Sequence, residues 1–307
     1  MRLRWVATLI RIRSWRLAAF CVAIALLALG TARVAQAQVG KRNFIDALVT
    51  EDPNPDNELQ PQPVWNKSRT ENVYSFTLTV EKRLAENFSL EIADAINQVS
   101  PRQGADARGL SGLEFLSKWD FFTSVKHEAR VAIGADAIVP VGDLDSGAPS
   151  HSRLGPFLVY EKGMGDLPDE GLAVYLRPFA VIGDFAYLPA LGGPQNGQFL
   201  ADVCLAYQLY YLSDSGIRLP YSSFLKKVSP FAEFNWQQIA VGKRFNTPPD
   251  FRITPALAYD TYYYQLTIGT QIALSHEASL NSQASVNFML SIYLAKLWPS
   301  VFKWEPF

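Results

Sequence analysis

Histidine, cysteine and methionine are scarce: the 307 residues hold 3, 2 and 3 of them. One cysteine, Cys21, lies in an apolar N-terminal stretch, which leaves Cys204 alone in the rest of the chain. A single thiol excludes an intramolecular disulfide framework, even in an oxidising compartment. The Cys/His spacing of a metal site and the glycine loop that cradles phosphate are both missing, so no cofactor or metal is expected. Basic blocks are absent too, which argues against nucleic acid as a partner. Past the N-terminal stretch, no apolar run is long enough to cross a bilayer as a helix. If this chain enters a membrane, it does so as strands.

What is present begins with an export signal. Arg2, Arg4, Arg11, Arg13 and Arg16 form a basic region, and Leu17 to Leu29 ("LAAFCVAIALLAL") an apolar core. Ala35-Gln36-Ala37 supplies a small-x-small cleavage site, so residues 1–37 read as a signal peptide and the mature chain as starting at Gln38. An uncleaved anchor is the rival reading, but the core is about 13 residues against the roughly 20 a spanning helix needs. Without the leader, 22 basic residues face 29 acidic ones, a mildly acidic net charge of −7.

Residues 38–71 have their own texture. Pro53, Pro55, Pro61 and Pro63 mingle with Glu51, Asp52, Asp56 and Glu58, and no periodicity holds. Proline fixes φ and removes donors, so the stretch reads as an extended N-terminal segment on the periplasmic side. Three roles fit it: a plug for a lumen, a piece docked on a rim, or a solvated linker. Its carboxylates lack the spacing of a calcium loop.

From residue 72 the pattern changes. In "HEARVAIGADAIVPVG" (127–142), Val131, Ile133 and Val139 share one side of an extended chain and Glu128, Arg130 and Asp136 the other. About eleven such runs follow one another, including Tyr74–Val80, Phe88–Ile92, Leu113–Phe121 and Val286–Leu294. Another is read over Leu172, Val174, Leu176 and Ile182, set against Tyr175, Arg177 and Val181. Turn-rich pieces such as "VGDLDSGAPS" and "LGGPQNGQ" separate them, which makes the chain all-β and antiparallel.

A soluble sandwich also alternates, and it stays open as a periplasmic or lipid-binding alternative. Three features favour an up-and-down barrel of about 10–12 strands over residues 72–298, followed by a tail at 299–307. Many runs approach the 9–11 residues of a tilted membrane strand. Aromatic residues cluster near strand ends, as in "YDTYYY" (259–264), Phe121-Phe122 and Trp298. The alternate face is small, polar or charged, as a hydrated lumen requires. Pro178 and Pro255 fall inside strand candidates and predict bulges or strand ends.

Several motifs add a resemblance. "LVTEDPNPDNEL" (48–59), "NFSLEI" (87–92), "FFTSVKHEARVAIGADAIVPVG" (121–142), "KGMGDLPD" (162–169), "LRPFAVIGD" (176–184) and "LWPSVFKWEPF" (297–307) resemble a family of poorly characterised exported bacterial proteins. These are described as outer-membrane transporters and loosely labelled as belonging to the MetA pathway of phenol degradation. The resemblance implies a barrel and solute passage, and it names no solute. Phe307 is similar to the aromatic ending of many such barrels, but Lys303 and Glu305 break that pattern, so the last strand is expected to end near Leu294.

The expected lumen residues are Glu114, Lys118, Asp120, Glu128, Arg130, Asp136, Arg177, Asp202 and Glu233. They either line a hydrated passage that selects by size and field, or pair across the barrel and fill it. The expected function is passive passage or binding of a small solute, hydrophobic ones included. A non-conducting structural or interaction barrel is the alternative. The expected partners are outer-membrane lipid, the barrel-assembly machinery and an unknown small solute, in the outer membrane of a Gram-negative bacterium. Catalysis is not expected: His127, His151 and His276 sit at turns, and strand neighbours such as Ser275 and His276 would point to opposite faces.

Overall fold

The computed structural model describes residues 38–39, 42–192, 196–214, 216–220, 222–241, 247–304 and 306. The expected leader, its cleavage site and Cys21 lie outside them. Two short strands, β1 (Gln38–Val39) and β2 (Arg42–Asn43), pair only with each other. The wall begins with β3 (Glu58–Lys67), β4 (Glu71–Ala85) and β5 (Phe88–Pro101). A short β6 (Ala107–Leu110) folds back on the later half of β5, whose first half pairs with β7 (Leu113–Ser124). Then follow β8 (Ala129–Val139), β9 (Arg153–Gly163), β10 (Phe179–Leu188) and β11 (Asn196–Tyr207). The last four are β12 (Val228–Val241), β13 (Asp250–Asp260), β14 (Tyr264–Ala273) and β15 (Ala284–Tyr293).

Each wall strand pairs antiparallel with the next, and β15 returns to β3. Twelve strands therefore close a ring, β6 standing outside the count. Closure leaves no edge with unpaired backbone groups, which is what a sheet needs in order to sit in hydrocarbon. The outward set is apolar and exposed, as at Leu78, Ile92, Trp119, Ile133, Leu257 and Phe288. Such a belt on a closed antiparallel ring makes this a membrane-spanning barrel of the outer-membrane kind. The sandwich alternative fails, because there is one closed sheet and its apolar face points outward. No helix among the described residues is long and apolar enough to cross a membrane.

Proline sets where the wall is imperfect. Pro61 and Pro63 lie in β3, and register with β15 holds only at 58–59 and 64–67. Between them neither proline has an N–H to give, so the ladder lapses. Register with β4 on the other side is unbroken from Glu58 to Lys67. Gln60 spans the gap from inside, its Nε2 lying 3.5 Å from Ser291 Oγ. Pro255 interrupts the pairing of β13 with β14 in the same way. A bulge at Phe121 re-registers β7 against β8 and leaves both Phe121 and Phe122 exposed.

The structure corrects four expectations. The wall begins at Glu58 rather than 72, so the proline-rich stretch supplies a strand. Residues 171–175 form a 3-10 turn, not a strand, and Pro178 sits just before β10. Ile182 faces inward and is fully buried, because β10 is apolar on both faces. His276 opens a helix, His276–Asn281, capped by Ser275, rather than a strand. The last strand ends at Tyr293, close to the expected end, and two helical turns follow it.

Candidate functional site

The lumen is the site, and the chain itself occupies it. Residues 42–57 run inside the ring, with Arg42, Ile45 and Asn57 almost fully buried. Phe44, Ile45, Ala47 and Leu48 form one apolar cluster with Ala180, Ile182, Cys204, Ala206, Phe231, Ala256, Ala258 and Met289 of the wall. The periplasmic-extension and linker readings give way to a plug. A ring of this size has room for one extended strand of chain, where an eight-stranded one is filled by its own side chains.

An extended plug carries backbone groups that no ladder satisfies, and burial would make each costly. Wall side chains supply the partners. The amides of Val49 and Thr50 donate to Glu233 Oε1 at 2.9 and 2.8 Å, and that of Glu51 to Asp184 Oδ2 at 2.8 Å. Gln265 accepts from the Asp46 amide and donates to its carbonyl, at 3.2 and 2.6 Å. Gln62 donates to the Leu48 carbonyl at 2.9 Å. Pro53 and Pro55 keep the segment extended and lower its demand for partners.

Two ion pairs fasten the ends of the plug. Arg42 Nε donates to Glu128 Oε2 at 2.8 Å, with both side chains buried. Its other nitrogens reach Gln208 Oε1 at 2.5 Å and the carbonyls of Arg177 and Pro178 at 2.5 and 3.3 Å. Glu128 holds a left-handed backbone, φ 46°, rare for a residue with a side chain. Its carboxylate is tied by Arg42, by the Gly165 amide at 2.9 Å and by the Tyr211 hydroxyl, which hold it in that conformation. A Cβ on Gly163 or Gly165 would overlap this carboxylate.

At the other end Lys118 Nζ bridges Glu51 at 2.7 Å and Glu81 at 3.0 Å. Nearby, Arg130 pairs with Asp120 at 3.1 Å and reaches Asn54 of the plug. Together Glu51, Glu58, Glu81 and Lys118 close the lumen toward the end that holds the start of β3 and the end of β15.

Above this floor the two sides differ. Inward residues of β3 to β5, such as Gln62, Val64, Ser75, Thr77, Thr79 and Asn97, remain half-exposed. Across from them Leu116, Phe157, Val159, Ala186 and Leu188 form a second apolar cluster, with Ile138 and Leu200 at its partly open margin. The result is a cup with the plug as its floor, polar on one side and, on the other, apolar with Glu114, Asp136, Gln198 and Asp202 at its border.

The sequence-predicted residues sort cleanly. Glu114, Lys118, Asp120, Arg130, Asp136, Asp202 and Glu233 all share the inward face. Glu128 is in the turn before β8 and still points inward to Arg42. Arg177 lies outside the strands, 3.8 Å from Asp169, and it is its carbonyl that meets the plug. Arg42, Glu81, Glu161, Asp184 and Gln265 were not foreseen; Asp184 and Gln265 were legible as polar residues on the inward face. The histidines stay apart: His127 pairs with Asp166 at 3.1 Å, and His151 lies beside Ser150 at 2.9 Å on an exposed loop.

The fold is similar to that of solved outer-membrane barrels. The COG4313 outer membrane channel from Pseudomonas putida F1 aligns with a TM-score of 0.52 at 11% identity, over 81% of this chain and 99% of that one. KdgM porin aligns with a TM-score of 0.43 at 11% identity, over 76% of this chain and 98% of that one. NanC porin gives 0.47 at 9% identity, with 76% and 98% covered. At such identities the likeness is one of fold alone. No family model matches the chain, and no curated protein does.

Proposed function

We propose that this chain works in the outer membrane as a plugged channel, giving passive passage to a small solute, hydrophobic ones included. The observation that carries this reading is the two-sided cup: a half-exposed polar wall at Thr77 and Thr79 facing an apolar margin at Ile138 and Leu200. A small amphipathic or apolar molecule can shed water on one side and keep its polar group wet on the other. The charges beneath are of mixed sign, with Lys118 and Arg130 set against Glu51, Glu81 and Asp120, which disfavours strong ion selection. The resemblance of the sequence to exported transporters points the same way.

Conductance in planar bilayers, with uptake of a small apolar fluorophore into vesicles, tests this. The intact barrel should conduct weakly and admit the fluorophore. Removal of residues 42–57 should raise conductance many-fold. A barrel that neither conducts nor admits the fluorophore, with or without the plug, would instead support the non-conducting structural role.

A further inference from the structure

The end of the barrel where β3 starts and β15 finishes carries two long connections, from β9 to β10 and from β11 to β12, where barrels of this kind usually have short turns. Their short helical pieces, and the tail after β15, are conspicuously apolar on the outside. Leu172 is 84% exposed, Phe224 55%, Val301 63% and Trp304 66%. A water-facing connection has no use for such side chains, and their contacts show where they lie.

Tyr207 is on the outward face of β11, edge-on to outward Phe179 with ring centroids 4.8 Å apart. Its hydroxyl donates to the Tyr175 carbonyl at 3.2 Å, which holds the 3-10 turn against the outside of the wall. Phe224 stacks on outward Tyr259 of β13 at 5.4 Å, and Lys227 Nζ lies 5.8 Å from the same ring. On the opposite arc Lys82, outward on β4, donates to the carbonyls of Phe302 at 3.1 Å and Trp304 at 2.8 Å. Three separate pieces of chain thus lean on the membrane-facing wall, continuous with its apolar belt. Lys226 and Lys303, both exposed, stand beside them.

We infer that residues 171–176, 222–227 and 298–304 form an interfacial collar seated at the headgroup–acyl boundary of a phospholipid leaflet. Short amphipathic pieces with apolar and aromatic groups on one side and lysines at their margins take that position. Leu172, Phe224 and Val301 then sit among the upper acyl carbons, while Lys226 and Lys303 reach lipid phosphates.

The test uses the full chain with Cys204→Ser and one added cysteine, Leu172→Cys, Phe224→Cys or Val301→Cys. Each is labelled with an environment-sensitive dye in phosphatidylethanolamine–phosphatidylglycerol vesicles. A nitroxide at acyl carbon 5 should quench the dye at least two-fold, and iodide should barely touch it. Asp145→Cys, in an exposed connection at the other end of the barrel, should behave in the opposite way. Iodide access at Leu172 and Phe224 equal to that at Asp145 would overturn the collar. Because an added dye can disturb folding, the unaltered protein is also photolabelled with a phosphatidylcholine bearing a shallow diazirine. Peptides covering 171–176 and 222–227 should carry label, and label confined to the twelve wall strands would refute the inference.

Discussion

The two sides of the lumen make an instructive pair. Along β10 to β15 the inward face is sealed under the plug, and apolar residues such as Ile182, Cys204, Ala206 and Met289 alternate with Asp184, Glu233 and Gln265, which take the plug's backbone groups. Along β3 to β5 they are Gln62, Ser75, Thr77 and Thr79, and water still reaches them. The same strand geometry, in the same ring, gives a packed interior on one side and a wet wall on the other. What differs is whether a second piece of chain covers the face. Where water is the neighbour the lumen face is mostly polar; where the plug is, apolar contacts alternate with polar groups that satisfy its backbone.

That contrast can be broken or sharpened by substitution. The largest effect is expected from Lys118→Met, which leaves buried Glu81 and half-buried Glu51 with no cation. Breaking a buried pair from one side costs about 3–5 kcal/mol. The urea midpoint of the folded barrel should fall accordingly, and an unchanged midpoint would mean the floor is not held there. Leu48→Ala opens a cavity between plug and wall and should cost about 2–5 kcal/mol. Its sharper readout is Cys204, sealed in the same cluster, whose reaction with a small thiol reagent should speed up. Ile133→Asp acts on the lipid face near mid-strand, where a basic residue near the midplane costs about 2–4 kcal/mol and an acid less. It should lower the yield of heat-modifiable barrel without changing the reactivity of Cys204. Thr77→Val should be the mildest, within about 0.5 kcal/mol, since the site is half-exposed and unpacked. It should shift only the relative permeation of polar and apolar solutes. Equal costs for Leu48→Ala and Thr77→Val would erase the difference between the two sides.

Legibility in the sequence follows the same division. Where the inward face carries charge, alternation is clean, and "HEARVAIGADAIVPVG" assigns Val131 and Ile133 outward and Arg130 and Asp136 inward, as the wall shows. Where the inward face packs on the apolar residues of the plug, both sides of a strand turn largely apolar. "FAVIGDFAYL" then hides that Ile182 points in, and only Asp184 betrays the face. The plug was harder still. "FIDAL" (44–48) has no period, since its neighbours are wall residues more than a hundred positions away. Pro61 and Pro63 disguised β3 as a linker, because they remove the donors by which a strand is usually recognised. Arg42, fully buried and bonded to four groups, resembles any lysine or arginine after a leader until the ring closes around it.

The same two prolines bear on the mechanics of the wall. A closed ring of strands resists a change of girth through every one of its ladders in series, so its compliance concentrates in the weakest joints. One such joint is between β3 and β15, the pair most distant in sequence, and Pro255 makes a second, shorter gap between β13 and β14. The barrel is thus a hoop of uneven stiffness, soft along the lines its prolines draw. Thermal strain that would be shared among twelve equal joints gathers there, at residues 60–63 and 254–255, instead.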